Sequence, residues 1–393
     1  MARALKAGFP APVLMTSTDE LVAVVERLRR EPFVTIDTEF VRERTYWPEL
    51  CLVQLAGEHD VVVVDTLAPG LDLSALGELL DDPAVTKVFH AARQDLEIFL
   101  HLFGRLPAAL YDTQVAAMVA GYGDQVGYDN LVSSLTGAHI DKAHRFSDWS
   151  ARPLSPAQIA YAAADVTYLR TVYQLLRERL ETEGRTEWVA AELAVLTRPE
   201  TFRPDPETLW EKMRPRTSNR RMLGILRAIT AWRELEAQRV NVPRQRLLKD
   251  ESLLEIAATA PTDAEALARV RGVSRGFAEG RSGAGLLEAI AAAHALPEAA
   301  LPRQNKGKDG PRPSPALVAL LKVLLAACCE EHDVAPRLVA SSEDIDRLAL
   351  EAEPDLPVMQ GWRRVVFGED ALALKAGTML LGVDGTRIRR VGC

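Results

Sequence analysis

The chain has 393 residues, more than one hydrophobic core is normally built from, and so reads as two or more domains. Apolar residues make up 48% and charged residues 26%. That excludes wholesale disorder, and the longest near-continuous apolar run, Leu317–Cys329, is broken by Lys322 and short of the roughly 20 residues that cross a bilayer. The net charge of −8 argues against a polyanionic partner until its distribution is read. Met213–Lys249 holds ten Lys/Arg and only two acids, Glu234 and Glu236, so an acidic body is joined to a basic stretch that attracts phosphates. Met1–Pro12 lacks the apolar core of a signal peptide. Cys51, Cys328, Cys329 and Cys393 show no C-x-x-C spacing, which fits a reduced, cytoplasmic setting and neither a disulfide framework nor a zinc site.

In chain order, Phe33–Val41 (FVTIDTEFV) reads as a strand, followed by strands at Leu50–Ala56 and Val61–Asp65 on either side of a turn at Gly57–Asp60. A helix is expected near Leu73–Leu80, a short buried strand at Thr86–His90, and a helix over Asp95–Phe103, where Leu96, Phe99, Leu100 and Phe103 fall at i, i+3, i+4 and i+7. Asp112 is placed to cap a helix running to Ala120. Ser155-Pro156 opens a long helix toward Arg179, with Ser at the N-cap and Pro at its first position. Strand signals nearly vanish beyond Arg198. Pro204, Pro206 and Pro215 mark a linker, the pattern is helical from Asn219, and Arg303–Pro315 is a second linker rich in Pro, Gly and charge. Arg239–Ile256 and His332–Leu348 form a weak internal repeat, each with a helix end, a proline, an apolar pair and an acidic helix start.

Asp37 and Glu39 lie two apart on a strand and share one face, while Val34, Ile36 and Phe40 point the other way. Asp95 stands at the start of an amphipathic helix. Tyr161 and Asp165 lie four apart on another helix, on one face, across a run of three alanines. Each alone is ordinary: a solvated strand face, a dipole-complementing helix start, a buried Tyr beside an exposed Asp. Together, the D-x-E strand, the middle Asp and the Y-x-x-x-D helix resemble the DEDD superfamily of 3′–5′ exonucleases. The stretches DTEFVRERTYWPELCLVQ (37–54), HAARQDLEIF (90–99), DTQVAA (112–117), DWSARPL (148–154) and QIAYAAADVTYL (158–169) resemble the ribonuclease D family. The segment from about Arg214 to Leu296 resembles the HRDC domain of RecQ-type helicases and ribonuclease D. Histidine-type relatives carry His five residues before the last Asp; Ala160 stands there in this chain, so Tyr161 resembles the tyrosine type.

The resemblance implies an α/β RNase H-like 3′–5′ exonuclease domain, a mixed sheet flanked by helices, followed by all-α HRDC-like domains. The expected boundaries are 1–197 for the catalytic domain, 198–213 for a linker, 214–300 for the HRDC domain, 301–315 for a second linker and 316–393 for a second HRDC-like domain. It further implies that Asp37, Glu39, Asp95 and Asp165 hold two divalent ions, Mg²⁺ or Mn²⁺, hard cations suited to carboxylate oxygens. Tyr161 joins them as a catalytic residue that orients the attacking water, since a free Tyr is a poor base at neutral pH. The substrate implied is RNA with a free 3′ end, chiefly tRNA precursors, trimmed to 5′-mononucleotides by a monomeric enzyme. A DNA exonuclease and a catalytically dead RNA-binding module are the alternatives. Phe40, Arg42, Arg44, Tyr46, Trp149 and Arg152, near the carboxylates in sequence, and Arg220, Arg221 and Arg227 in the basic stretch, are candidate nucleic-acid contacts; a solvated loop, a core aromatic or a solvated helix face is the alternative for each. His90 receives no role, and Asp112 reads as a helix cap. No G-x-x-x-x-G-K-[ST] appears, so neither an ATP site nor a motor is expected.

Overall fold

The computed structural model describes residues 9–141, 143–303, 311–352 and 354–392. The chain opens with β1 (Val13–Met15) and α1 (Thr18–Leu28), the latter capped by the Ser17 side chain. The expected strands follow as β2 (Phe33–Val41), β3 (Glu49–Ala56) and β4 (Val61–Asp65). Then come α2 (Ser74–Asp81), β5 (Thr86–Phe89), α3 (Arg93–Phe103), β6 (Leu110–Asp112), α4 (Thr113–Val119), α5 (Tyr128–Thr136), α6 (Pro156–Thr182) and α7 (Thr186–Leu196). β3 and β4 are buried along nearly their whole length, which is why they read as continuous apolar runs. The six strands lie in the order β1-β4-β3-β2-β5-β6. β1 runs parallel to β4, β2 to β5 and β5 to β6, whereas β3 is antiparallel to β4. The sheet is therefore mixed and flanked by helices, as the resemblance implied.

Capping residues set the helices that carry the site. Asp112 accepts from the Gln114 and Val115 amides at the start of α4, and its carboxylate also accepts from the Ala91 and Ala92 amides at 3.0 and 2.8 Å. One buried side chain thus fixes the starts of both α4 and α3. Ser155 and Gln158 form a reciprocal capping box at the start of α6. That helix is then docked on the sheet: Thr35 Oγ1 of β2 donates to the Val166 carbonyl at 2.8 Å, and Arg170 Nη1 donates to the Ala56 carbonyl at 3.0 Å.

The described residues fall into two units. One comprises the residues before Phe40, Cys51–Arg198 and the chain after residue 310; the other comprises Phe40–Leu50 and the chain from Pro199 to residue 303. The second unit is built on α8 (Arg220–Val240), with α9 (Arg244–Leu247), α10 (Asp250–Thr259), α11 (Ala264–Ala268), α12 (Arg275–Glu279) and α13 (Arg281–His294). Leu223, Leu226, Ile229, Leu253, Ile256 and Leu286 are fully buried in its core. Trp210 joins that core from a 3₁₀ turn at Pro206–Met213, so the stretch read as a linker at 198–213 contributes to the packing of the helical unit.

After residue 310 the chain forms α14 (Pro315–Glu331), α15 (Pro336–Val339), α16 (Ser342–Leu350), α17 (Gly361–Arg363) and α18 (Glu369–Ala376). The internal repeat is visible here. α8 is followed by Asn241 and α14 by Asp333, both with left-handed backbone (φ 52° and 46°), and each leads through a proline into a four-residue helix and then a longer one. Two features depart from the expected separate all-α domain at 316–393. The chain ends in a hairpin, β7 (Met379–Asp384) with β8 (Arg387–Gly392), whose Gly385 takes the positive φ a tight turn needs. The segment also packs on the α/β domain. Trp362 stacks on Trp188 with ring centroids 4.7 Å apart and planes within 9°, Arg363 pairs with Glu192 at 2.5 Å, and the Ala335 amide donates to the Met118 carbonyl at 2.9 Å. Trp362→Ala is therefore expected to destabilise this unit by about 3–5 kcal/mol, the usual loss for a buried aromatic truncated to Ala. Urea denaturation monitored on the far-ultraviolet signal checks this; an unchanged midpoint would mean the terminal segment is a loose appendage.

Candidate active site

β2 delivers Asp37 and Glu39, the start of α3 delivers Asp95, and α6 delivers Tyr161 and Asp165. A cavity of about 240 Å³ is lined by Asp37, Thr38, Glu39, His90, Tyr128, Arg145, Tyr161, Asp165 and Leu169. Asp95 is buried behind it and accepts a very short hydrogen bond from Thr38 Oγ1. Thr38 lies between the two strand acids, so this bond ties the middle Asp to the D-x-E strand. All five residues singled out from the sequence as catalytic therefore converge on one place, although strands and helices far apart in the chain supply them.

The electrostatics show a site short of positive charge. Burial and the nearby carboxylates push Glu39 up to about 9, with Asp37, Asp165 and Asp95 as the charged neighbours. Burial pushes Asp165 up to about 7. Asp37, by burial and the Asp165 charge, and Asp95, by burial and the Asp37 charge, are both held well above the ordinary carboxylate range. Arg145 is, among the described residues, the one arginine or lysine lining the cavity. Among the described residues, no three His, Cys, Asp or Glu side chains stand grouped as a finished set of metal ligands. A set of hard oxygen donors with uncompensated charge is nonetheless the donor chemistry that divalent Mg²⁺ or Mn²⁺ matches.

Tyr161 is held from behind. Trp149 is buried and its ring stacks on Tyr161, centroids 6.0 Å apart. Burial and the charges of Asp165, Glu39 and Asp37 raise the Tyr161 hydroxyl well above the ordinary tyrosine value, so it stays protonated and able to donate. Tyr128 Oη donates to the Ala164 carbonyl at 3.1 Å, bracing α6 beside Asp165. His90 lies between Thr113 Oγ1 and the Val126 carbonyl, at 3.0 and 3.1 Å, with its pKa lowered by burial; it is a neutral, tethered wall residue.

Several expected nucleic-acid contacts have other occupations. Arg152 makes a two-pronged bond to Asp65, at 2.7 and 2.6 Å, and donates to the Trp149 and Cys51 carbonyls. It pins the loop that carries Trp149, and Trp149 in turn backs Tyr161. Tyr46 is buried in the helical unit, its hydroxyl bonded to Glu234. Arg221 donates to the His294 and Leu296 carbonyls at the end of α13, and Arg220 to the Leu301 carbonyl at 2.6 Å, the usual use of a cation at a helix C-terminus. Arg227 faces Glu207 at 3.4 Å. The basic excess of Met213–Lys249 is thus spent partly on stitching helices together, which sequence spacing does not reveal. Phe40 is half-buried, and Arg42 and Arg44 are exposed. Arg145, next to the Asp148–Leu154 stretch, was missed because a loop of irregular structure carries no periodicity that would aim a side chain.

Comparison with known proteins bears on this arrangement. A 3′–5′ exonuclease family model matches residues 12–181, and an HRDC domain model matches residues 222–290. The chain is 84% identical over 391 residues to ribonuclease D of Gluconacetobacter diazotrophicus, covering 100% of both chains, and 69% identical over 392 residues to ribonuclease D of Granulibacter bethesdensis, covering 100% of this chain and 99% of that one. The crystal structure of Escherichia coli RNase D, described as an exoribonuclease involved in structured RNA processing, superimposes with a TM-score of 0.78 at 31% identity, covering 92% of this chain and 98% of that one. No helix among the described residues is long and apolar enough to cross a membrane. With the D-x-E strand, the buried middle Asp and the Y-x-x-x-D helix gathered around one cavity, the chain belongs to the ribonuclease D family of 3′–5′ exoribonucleases.

Proposed function

We propose that Asp37, Glu39, Asp95 and Asp165 hold two divalent cations, Mg²⁺ or Mn²⁺, and that the chain trims 3′ extensions of structured RNA, tRNA precursors foremost, one 5′-mononucleotide at a time. The observation that carries this reading is four carboxyls of raised proton affinity gathered in one place, Asp37, Glu39 and Asp165 lining a cavity and Asp95 bonded to Thr38 of that lining, with Arg145 the one arginine or lysine of the lining among the described residues. Bound divalent ions supply the positive charge that lets a phosphodiester approach such a site and stabilise the oxygens that attack and leave. The chain's own groups do the rest. Tyr161, kept protonated, donates a hydrogen bond that orients the attacking water; Trp149 holds its ring. Arg145, in the lining of the same cavity, offers the phosphate a cation. Phe40, directly after Glu39, and Arg42 and Arg44 are the remaining candidates to hold the last nucleotides. Trp149 and Arg152 serve Tyr161 indirectly, through the loop they hold, while Tyr46, Arg220 and Arg221 are engaged in bonds within the helical unit.

The test is digestion of matched RNA and DNA oligomers, labelled at the 5′ or the 3′ end, with Mg²⁺, with Mn²⁺ and with EDTA. The expected result is immediate release of label from 3′-labelled RNA, a shortening ladder from 5′-labelled RNA, slower attack on DNA and no reaction with EDTA. Hydrolysis that persists in EDTA would remove the metal reading. Equal rates on DNA would remove the RNA preference. A tRNA precursor with a 3′ extension should be trimmed to a discrete end, and random degradation of it would argue against the maturation role.

A further inference from the structure

The segment between the catalytic strand β2 and its neighbour β3 belongs to the helical unit. Phe40–Leu50 groups with the chain from Pro199 to residue 303, and the side chains show why. Tyr46 is buried, with 8% of its surface exposed. Its hydroxyl donates to Glu234 of α8 in a very short bond and accepts from Gln238 Nε2 at 3.1 Å and Arg244 Nη2 at 3.0 Å. Glu234 is fully buried. Burial alone would raise its carboxyl; the bonds from Arg244 and Tyr46 outweigh that and hold it below the ordinary range. Arg244 bonds both Glu234 oxygens and lies over the Tyr46 ring, 5.2 Å from its centroid. One residue on, the Trp47 amide donates to Asn241 Oδ1 at 3.0 Å, from the left-handed residue that follows α8. Tyr46 and Trp47 are therefore held by four residues spread over only eleven positions, Glu234–Arg244.

This anchor is close in the chain to the chemistry. Six residues separate Glu39 from Tyr46, and two of them are the exposed Arg42 and Arg44. A segment fixed at one end by a strand and at the other by a buried, fully satisfied charge cluster has few ways to move, and cations held in place lose less freedom when they grip a phosphate. We propose that Glu234, with Gln238, Arg244 and Asn241, positions the 40–48 segment and its Arg42 and Arg44 for substrate binding, so that the helical unit orders the candidate phosphate-binding cations that follow the catalytic strand in the chain and is not only a separate RNA-affinity module. Glu234 is a positioning residue here, acting through Tyr46.

This inference rests on the nuclease reading of the carboxylates, and its test keeps the two apart. Full-length Tyr46→Phe and Glu234→Gln are compared with the parent and with Glu279→Gln, which alters an exposed pair on α12. One readout is native-state trypsin cleavage after Arg42 and Arg44, mapped by mass spectrometry; it needs no nuclease activity. The other is the KM and kcat for a short single-stranded RNA, measured well below the melting temperature. Nicking at Arg42 and Arg44 is expected to accelerate severalfold in both variants. KM should rise about tenfold, the loss of roughly one charge-assisted contact, with kcat largely kept. Glu279→Gln should change neither. Partial unfolding gives the opposite split, a lower apparent kcat at unchanged KM, and would reduce the cluster to a packing role. Parent-like nicking and KM in both variants would overturn the proposal. If Glu234→Gln fails to fold, Tyr46→Phe, which removes one hydroxyl and keeps the ring, decides the matter. A parent protein that does not hydrolyse RNA would instead sink the nuclease reading while the nicking comparison still tests the anchor.

Discussion

Asp165→Asn is expected to abolish hydrolysis while leaving the metal-free protein as stable as its parent, or more stable. Burial makes the ionised form costly, and Asp165 is pushed up to about 7. The amide keeps the shape of the carboxyl but supplies neither the charge nor the second hard oxygen a divalent ion takes from an acid. In the absence of metal, the same change removes one member of a self-repelling group. The sign of the pH dependence follows from linkage. Asp165 and Glu39 bind their protons more tightly folded than unfolded, so the native state holds more protons between the ordinary carboxylate values, near 4, and the raised values of about 7 and about 9. Their contribution to stability is fully present below about pH 4 and lost as pH rises through the raised values. Thermal melts in EDTA should therefore show the parent losing stability from about pH 4 to about pH 9, and Asp165→Asn should flatten the part of that slope that ends near 7. A sharp fall in melting temperature in the variant would make Asp165 a structural residue.

Tyr161→Phe is expected to lower kcat by about 10²–10⁴-fold, the range typical of groups that place or transfer a catalytic proton, with a much smaller change in KM. Only a hydroxyl is removed, and the Trp149 ring still packs against the phenyl. Because the Tyr161 hydroxyl is held well above its ordinary value by burial and by three carboxylates, it acts as a donor across the working range and should add no ionisation of its own near neutral pH. The pH–rate profile of the variant should therefore keep the shape of the parent's at a lower level. Parent-like turnover from acid to alkaline pH would sink the orienting role.

Other features were legible because they are local. The alternation in FVTIDTEFV, the four-residue spacing from Tyr161 to Asp165, the Ser155-Pro156 start and the Asp112 cap each depend on neighbours within a few residues, and each forms as read. The three-residue strands β1 and β6 were not legible, since three residues carry no periodicity and exist as strands only through pairing with β4 and β5. The terminal hairpin did leave a signal, Asp384-Gly385 between β-branched residues, which the helical resemblance of the segment obscured.

The amino-acid sequence alone marked the candidate site: four acids and a tyrosine on elements whose faces follow from a period of two or of 3.6 residues. Tertiary structure alone decided what the polar and aromatic residues around them do. Arg152 reaches Asp65, 87 positions away, Trp362 reaches Trp188, and Tyr46 reaches Glu234, 188 positions on. An arginine or tyrosine in a loop has the same composition whether it faces phosphate or closes a buried ion pair. Which it does depends on the groups the fold brings to it, because a buried charge is tolerated only with its partners in place, and those partners come from parts of the chain that no local pattern connects.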